Sequence, residues 1–122
     1  MRWKRTLITL SAVLLVLLAA TLFVSSRSVT SIHKARESVL QQDLYTLRTL
    51  LNQYFVDTHK RPHSLDELVT AGYLKQIPTD PMTGRNDSWN VEWSNDPKIP
   101  GITNVRSSSD SMSSKGTAYR DW

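Results

Sequence analysis

Residues 7–55 decide the fold of this chain, and they read LITLSAVLLVLLAATLFVSSRSVTSIHKARESVLQQDLYTLRTLLNQYF. The first part, from Leu7 to Val24, is apolar apart from two threonines and one serine, and it carries no charge. At about 1.5 Å of rise per residue, such a segment makes a helix of roughly 27 Å, close to the hydrocarbon thickness of a bilayer. We therefore predict a transmembrane helix over residues 7–24.

The second part, residues 29–55, predicts an amphipathic helix, because it contains neither proline nor glycine and its apolar residues recur at helical spacing. These residues are Val29, Ile32, Val39, Leu40, Leu44, Leu47, Leu51, Tyr54 and Phe55. We expect the charged residues of the opposite face, among them Glu37, to lie in solvent. The polar bridge Ser25–Ser28 contains no helix breaker, so we expect one nearly continuous helix.

The positive charge of the chain belongs to the ends of the apolar segment. The formal net charge is +4, yet the part from Ser28 onward balances eleven Lys and Arg against eleven Asp and Glu. This distribution argues against a nucleic-acid partner. Three basic residues precede the apolar segment and only Arg27 follows it, so the positive-inside rule places the N-terminus in the cytoplasm.

A cleaved signal peptide is the alternative to a retained anchor, since a basic start, an apolar segment and small residues follow one another. The missing A-x-A match and the long apolar segment favour retention. In both cases the later residues lie outside the cytoplasmic membrane. We assign residues 1–28 to the cytoplasmic end and the transmembrane segment, and residues 29–122 to a second domain.

The residues after the long helix predict a short helix and then strands. The long helix should stop before Pro62. Ser64 and Glu67 are spaced as a capping box, which starts a short helix that Gly72 ends. Turn residues dominate from Gln76 to Arg85.

Alternation over Trp89–Trp93 predicts a strand whose two indoles and valine cover the long helix, with both indoles in the core rather than on a stacking platform. Residues Ile102–Arg106 predict a second strand, and Thr117–Trp122 could form a third. The predicted fold class is α+β, in which a long N-terminal helix packs on a small antiparallel sheet of two or three strands.

No constellation of residues points to an enzyme. The sequence lacks a nucleophile motif, a phosphate-binding glycine loop and a paired-carboxylate arrangement. It contains no cysteine, which excludes disulfides and thiol chemistry. His59 and His63 flank Pro62 in a predicted turn, so we expect exposed loop histidines rather than a metal pair.

The serine-rich loop Ser107–Gly116 is the best candidate for a binding site. Asp110 lies within it and Asp121 beyond it, among several serines. Calcium prefers hard oxygen ligands from carboxylates, carbonyls and hydroxyls on irregular loops. From the residues alone, a flexible surface loop is the alternative to a calcium site, and it is favoured.

Four stretches in this order resemble the type IV pilin superfamily, and most of all the major pseudopilins of type II secretion systems. They are the long N-terminal helix, DTHKRPHSLDELVTAGYL at 57–74, IPTDPMTG at 77–84, and the tail 101–122 with GITNVRSSSD and YRDW. The resemblance implies a pilin-like fold with its domain in the periplasm on a single-pass inner-membrane anchor. It also implies assembly with pilin-like subunits, including copies of this chain, and with secretion components, and calcium held by Asp110 and Asp121.

One feature of that family is missing from this chain. Family members carry a short basic leader, then Gly-Phe, and a glutamate within the apolar segment, whereas residues 1–24 here contain no Gly, Glu or Asp. Two functional hypotheses therefore stay open. The chain is a structural subunit of a type II secretion or related filament, assembling through its apolar helix, or it is a non-polymerising, membrane-anchored periplasmic binding or accessory module.

Overall fold

The computed structural model describes residues 1–122, apart from the side chain at position 26. Helix α1 spans Arg2–Thr58 and helix α2 spans Leu65–Thr70. Strands β1 (Asn90–Trp93) and β2 (Ile102–Arg106) follow, and a 3₁₀ helix covers Tyr119–Asp121. Two compact units divide the chain, Met1–Lys34 and Ala35–Trp122. The α+β fold with one long N-terminal helix is confirmed.

The first unit is helical throughout from Arg2, and the predicted polar bridge does not interrupt it. The hydroxyls of Ser25 and Ser28 donate to the carbonyls of Thr21 and Val24, so these serines satisfy their polar groups within the helix. The large apolar side chains of residues 7–24 are exposed on all sides of the helix. This helix is long and apolar enough to cross a membrane, as predicted.

The core of the second unit starts from one stripe of α1. Leu40, Leu44, Leu47 and Leu51 are buried at a spacing of four, three and four residues, which places them on one face of the helix. They belong to one cluster with buried residues of the later chain, namely Leu65, Leu68, Trp89, Ile102, Val105 and Tyr119. The predicted stripe was too long, because Val29, Ile32 and Val39 are exposed.

Strands β1 and β2 pair antiparallel, with Val91 opposite Val105. The register shifts between Glu92, which pairs with Asn104, and Trp93, which pairs with Ile102. Such a bulge breaks the alternation of side chains between the two faces. Trp93 is consequently 53% exposed, and the prediction that it lies in the core was wrong.

Trp89 precedes β1 and is buried, as predicted. Its indole N–H donates to the carbonyl of Pro78 at 2.8 Å, so the one polar group of this large side chain is satisfied. The strand thus starts one residue later than predicted, and Trp89 joins the core from just before it.

Helix α2 is short but capped at both ends. The Ser64 hydroxyl accepts the N–H of Glu67 at 3.3 Å, while the Glu67 carboxylate accepts the N–H of His63 at 3.1 Å. At the other end Tyr73 N–H donates to Leu68 and Gly72 N–H to Val69, the two bonds of a Schellman motif. Gly72 has φ +85°, so the predicted glycine stop is confirmed.

The final residues do not form a third strand, and this prediction was wrong. Tyr119 N–H donates to the carbonyl of Ser111, and Arg120 N–H donates to that of Ser109. The tail therefore pairs with its own loop, and Tyr119–Asp121 turns into a 3₁₀ helix. The sheet keeps two strands.

Replacing one stripe leucine tests this core. Leu40 is completely buried, so Leu40→Ala should lower the free energy of unfolding by about 2–5 kcal/mol through lost burial and a residual cavity. The measurement is urea unfolding of the full chain in detergent micelles, followed by tryptophan fluorescence. The neighbouring Val39→Ala is the matched control, because Val39 is 49% exposed. Equal losses in the two variants would contradict the assigned stripe.

Candidate functional site

A buried carboxylate joins α1 to the C-terminal loop. Glu37 is only 7% exposed, and it accepts hydrogen bonds from the N–H and the hydroxyl of Ser114, both at 2.6 Å. It also accepts the hydroxyl of Tyr119 at 2.9 Å. The expectation that Glu37 lies in solvent was wrong. Glu37 lies three residues before Leu40 and so on the same helix face as the leucine stripe, where the tail covers it.

The hydrogen bonds of Glu37 explain why its charge is tolerated there. A buried carboxylate without partners is strongly unfavourable, whereas bonds to an ionised acceptor are shorter and stronger than neutral ones. Burial, and next the hydrogen bond to Glu37, raise the pKa of Tyr119 above its ordinary value. At neutral pH Tyr119 therefore remains a donor, and the contact from α1 to the tail is kept.

Arg48 makes a second contact between α1 and the later chain. Its guanidinium donates to the carbonyl of Val105 at 2.9 Å and to that of Trp122 at 2.7 Å. Burial, followed by the nearby Arg106, lowers the pKa of Arg48, but a guanidinium titrates so far above neutral that it stays charged. One side chain thus links α1 to β2 and to the tail.

Asp80 makes a third contact, with the first residue of the serine-rich loop, Ser107. This carboxylate is completely buried, accepts the N–H of Met82 at 2.8 Å, and accepts the hydroxyl of Ser107. Burial, and then the charge of Asp80, raise the pKa of Asp43 on α1. The predicted turn around Asp80 is thereby also a contact for Ser107, a role that its local sequence did not indicate.

The two predicted calcium ligands have other partners in the structure. The Asp110 carboxylate accepts a bond from the Arg120 guanidinium at 2.8 Å, in an ion pair that is exposed on both sides. Asp121 lies in the 3₁₀ helix, and its main-chain carbonyl accepts a bond from Arg106. Across the residues that the structure describes, no group of three or more His, Cys, Asp or Glu could hold a metal ion.

This arrangement does not fit a calcium site, because a cation already lies against Asp110 and several loop serines have protein partners. Ser107 donates to Asp80, Ser114 donates to Glu37, and Ser113 bonds to Thr117. The loop is therefore ordered by the protein's own groups. Calcium at Asp110 and Asp121 stays a prediction that rests on the resemblance.

Removing the buried carboxylate should loosen the tail. Glu37→Ala leaves donors of Ser114 and Tyr119 without their acceptor, so we expect a loss of about 1–3 kcal/mol in the free energy of unfolding. Hydrogen exchange of the amides of residues 111–119 should also become faster. Asp110→Ala is the control in the same loop, and as the loss of an exposed pair it should change stability by less than about 1 kcal/mol. If these amides exchange as slowly in Glu37→Ala as in the wild-type chain, the role of Glu37 would be contradicted.

The calcium prediction has a direct thermal test. If the ion binds at the loop, millimolar calcium raises the melting temperature of the wild-type chain, because a ligand of the native state stabilises it. The rise should be absent from the double variant Asp110→Asn, Asp121→Asn, and magnesium at the same concentration controls for ionic strength. An unchanged melting temperature of the wild-type chain would contradict the prediction.

Any functional proposal for this chain rests on its motifs and its fold. No protein-family model, no curated protein and no solved structure matches this chain. The site consists of a tail held to α1 by Glu37 and Arg48 and to the turn at Asp80. These contacts order the serine-rich loop against the rest of the second unit.

Proposed function

We propose that this protein is a pilin-like structural subunit, anchored in the inner membrane with its α+β domain in the periplasm. The single observation behind the proposal is helix α1, which runs from Arg2 to Thr58. Its apolar beginning is exposed on all sides, and its later part supplies the leucine stripe of a small α+β core. A helix that serves first as an anchor and then as a core element is the design that the resemblance implies.

Assembly would proceed by packing of apolar helices in the membrane. Without a hydrophobic driving force between helices in lipid, association depends on close packing, which small residues permit. Ala12 and Ala19 are seven residues apart and share one face of α1. Beside Ala12, a shallow apolar groove of about 270 Å³ is lined also by Val13, Val16 and Leu17. A side chain of a neighbouring helix fits such a groove.

The periplasmic domain would contribute a surface that is ordered by hydrogen bonds within the chain. Glu37, Arg48 and Asp80 fix the serine-rich loop at separate points. An ordered loop binds a neighbouring subunit or a secretion component with a smaller entropic penalty than a flexible one. Type II secretion or a related filament system is the proposed context, because the major pseudopilins are what the motifs resemble most.

A non-polymerising, membrane-anchored binding or accessory module is the second candidate. Its support is the absence of Gly, Glu and Asp from residues 1–24, where the family carries its processing signal and docking glutamate. Both candidates share the anchor and the folded domain. They differ in whether copies of α1 contact one another or other pilin-like helices in the membrane.

Cysteine crosslinking in membranes of the native host separates the two candidates. The chain contains no cysteine, so a single introduced thiol reports only its own position. We expect disulfide-linked dimers from Ala12→Cys, Val16→Cys and Ala19→Cys, whose positions share one helix face. The matched controls are Leu14→Cys and Thr21→Cys on the opposite face, which should crosslink weakly.

The positions around α1 at which crosslinks form distinguish the two candidates. Strong dimers on the face of Ala12 and weak ones at Leu14 support self-assembly through α1. Disulfide-linked products on that same face that are heavier than the dimer of this chain support a mixed filament. Such products would form with cysteine-containing pilin-like proteins of the host. Monomers at every position, with the secretion machinery present, would contradict the subunit proposal and favour the accessory module.

A further inference from the structure

A cleft at the end of α1 is lined by several basic residues. It has a volume of about 470 Å³ and lies between the loop after α1, which supplies His59, Lys60, Arg61 and His63, and the turn that contains Lys98. Small-molecule sites in proteins usually fall between about 300 and 1,000 Å³. The cleft is separate from the C-terminal loop and has no part in the proposed assembly of helices.

The charges around this cleft do not cancel. Lys60, Arg61 and Lys98 carry three positive charges against one negative charge of Glu67, which gives a formal sum of +2. None of the ion pairs between described residues includes one of those three cations. Since residues from Ser28 onward sum to zero, this excess is a local feature rather than a property of the whole domain.

The loop that lines the cleft has an unusual backbone. His59 has φ +56°, the one non-glycine residue with positive φ among those described. Its N–H donates to the carbonyl of Phe55 at 2.8 Å, which closes the end of α1. Glycine suits this conformation better, and side chains kept in it are found preferentially at functional sites. A histidine here brings an imidazole to the cleft at some expense in stability.

The Arg61 wall of the cleft is fixed by packing. The guanidinium lies over the ring of Phe55 at 4.6 Å from its centroid, and its Nε is buried without a hydrogen-bond acceptor among the described residues. A β-carbon at Gly101 would lie 2.6 Å from that of Arg61, so only glycine fits there. The carbonyl of Pro62 accepts the N–H of Ile102 at 2.8 Å, which ties this loop to β2.

We propose that this cleft binds a small ligand carrying a phosphate monoester or a comparable dianion. A dianion neutralises the formal charge of +2, and ammonium, guanidinium and imidazole groups are all suitable donors to phosphate oxygens. Tyr54, Ile99 and Pro100 line the same cleft and offer apolar surface to the organic part of the ligand. The site does not depend on whether the chain polymerises.

Binding of phenyl phosphate to the full chain in dodecyl maltoside micelles tests the proposal. Titration calorimetry should show saturable binding, weaker binding of inorganic phosphate, which lacks the ring, and none of phenol, which lacks the charge. Amide resonances of residues 59–61, of His63 and of residues 98–99 should shift on binding. Loss of two cations in Lys60→Gln, Lys98→Gln should weaken binding by about tenfold or more, which corresponds to 1.4 kcal/mol per factor of ten.

The matched control removes the same charge elsewhere. Lys75→Gln, Lys115→Gln replaces two exposed lysines that do not line the cleft, and it should bind phenyl phosphate like the wild-type chain. Circular dichroism confirms folding of each variant, and the single variant Lys98→Gln replaces the double variant if that one fails to fold. No binding by the wild-type chain, equal loss in both double variants, or equal binding of phenol would overturn the proposal.

Binding measured in nanodiscs of two lipids distinguishes a lipid headgroup from a free phosphorylated ligand as the source of the anion. Phosphatidic acid carries a phosphate monoester headgroup, whereas phosphatidylcholine does not. Competition with phenyl phosphate in phosphatidic acid nanodiscs alone would support the site with a lipid headgroup as its ligand. Undiminished phenyl phosphate binding in both lipids would support the site with a free phosphorylated ligand.

Discussion

Burial of the leucine stripe of α1 is the interaction on which the second unit depends. The other elements are too short to make a core of their own, since α2 has six residues, β1 has four and β2 has five. An isolated two-stranded hairpin is at best marginally stable in water. Helix α2 and strand β2 place buried residues in one cluster with Leu40, Leu44, Leu47 and Leu51, and β1 packs its half-buried Val91 against that cluster. The fold is thus a set of short segments, each stabilised by the same face of one helix.

Polar contacts hold the C-terminal loop, Ser107–Gly116, in place, because it has few apolar residues to bury. The C-terminal loop is rich in serine, and the chain has no cysteine to tie it down. Small domains commonly use disulfides or metal ions for this purpose. Here Glu37 and Asp80 provide hydrogen bonds to this segment, and Arg48 provides one to Trp122 beyond it. These groups are buried or half-buried and have partners, which is the condition for polar groups to be tolerated in a core.

The two units suit different surroundings. The first exposes apolar side chains on every side of a helix, which is favourable in lipid and unfavourable in water. The second buries its apolar stripe and has a formal net charge of only −1, from ten Lys and Arg and eleven Asp and Glu. In the proposed filament subunit, the first unit provides assembly and the second provides the periplasmic surface. The cationic cleft near His59 would add a ligand site to that surface in either functional candidate.

The sequence by itself determined the long helix, its apolar beginning, the leucine stripe and both caps of α2. These features depend on periodicity and on neighbouring residues, which are local properties of the chain. The same local reasoning placed the two strands of the sheet to within one residue, although it also suggested a third strand that does not form. It predicted the order of the elements and the α+β class as well.

Only the tertiary structure decided which polar residues became buried and how the tail ended. Glu37 fits the spacing of the stripe, but its burial required Ser114 and Tyr119, some 80 residues away along the chain. The bulge that exposes Trp93 arises from pairing with β2, and the 3₁₀ helix at Tyr119 arises from bonds to the loop. Contacts between distant residues are absent from any local pattern, because they form only when the chain has brought those residues together.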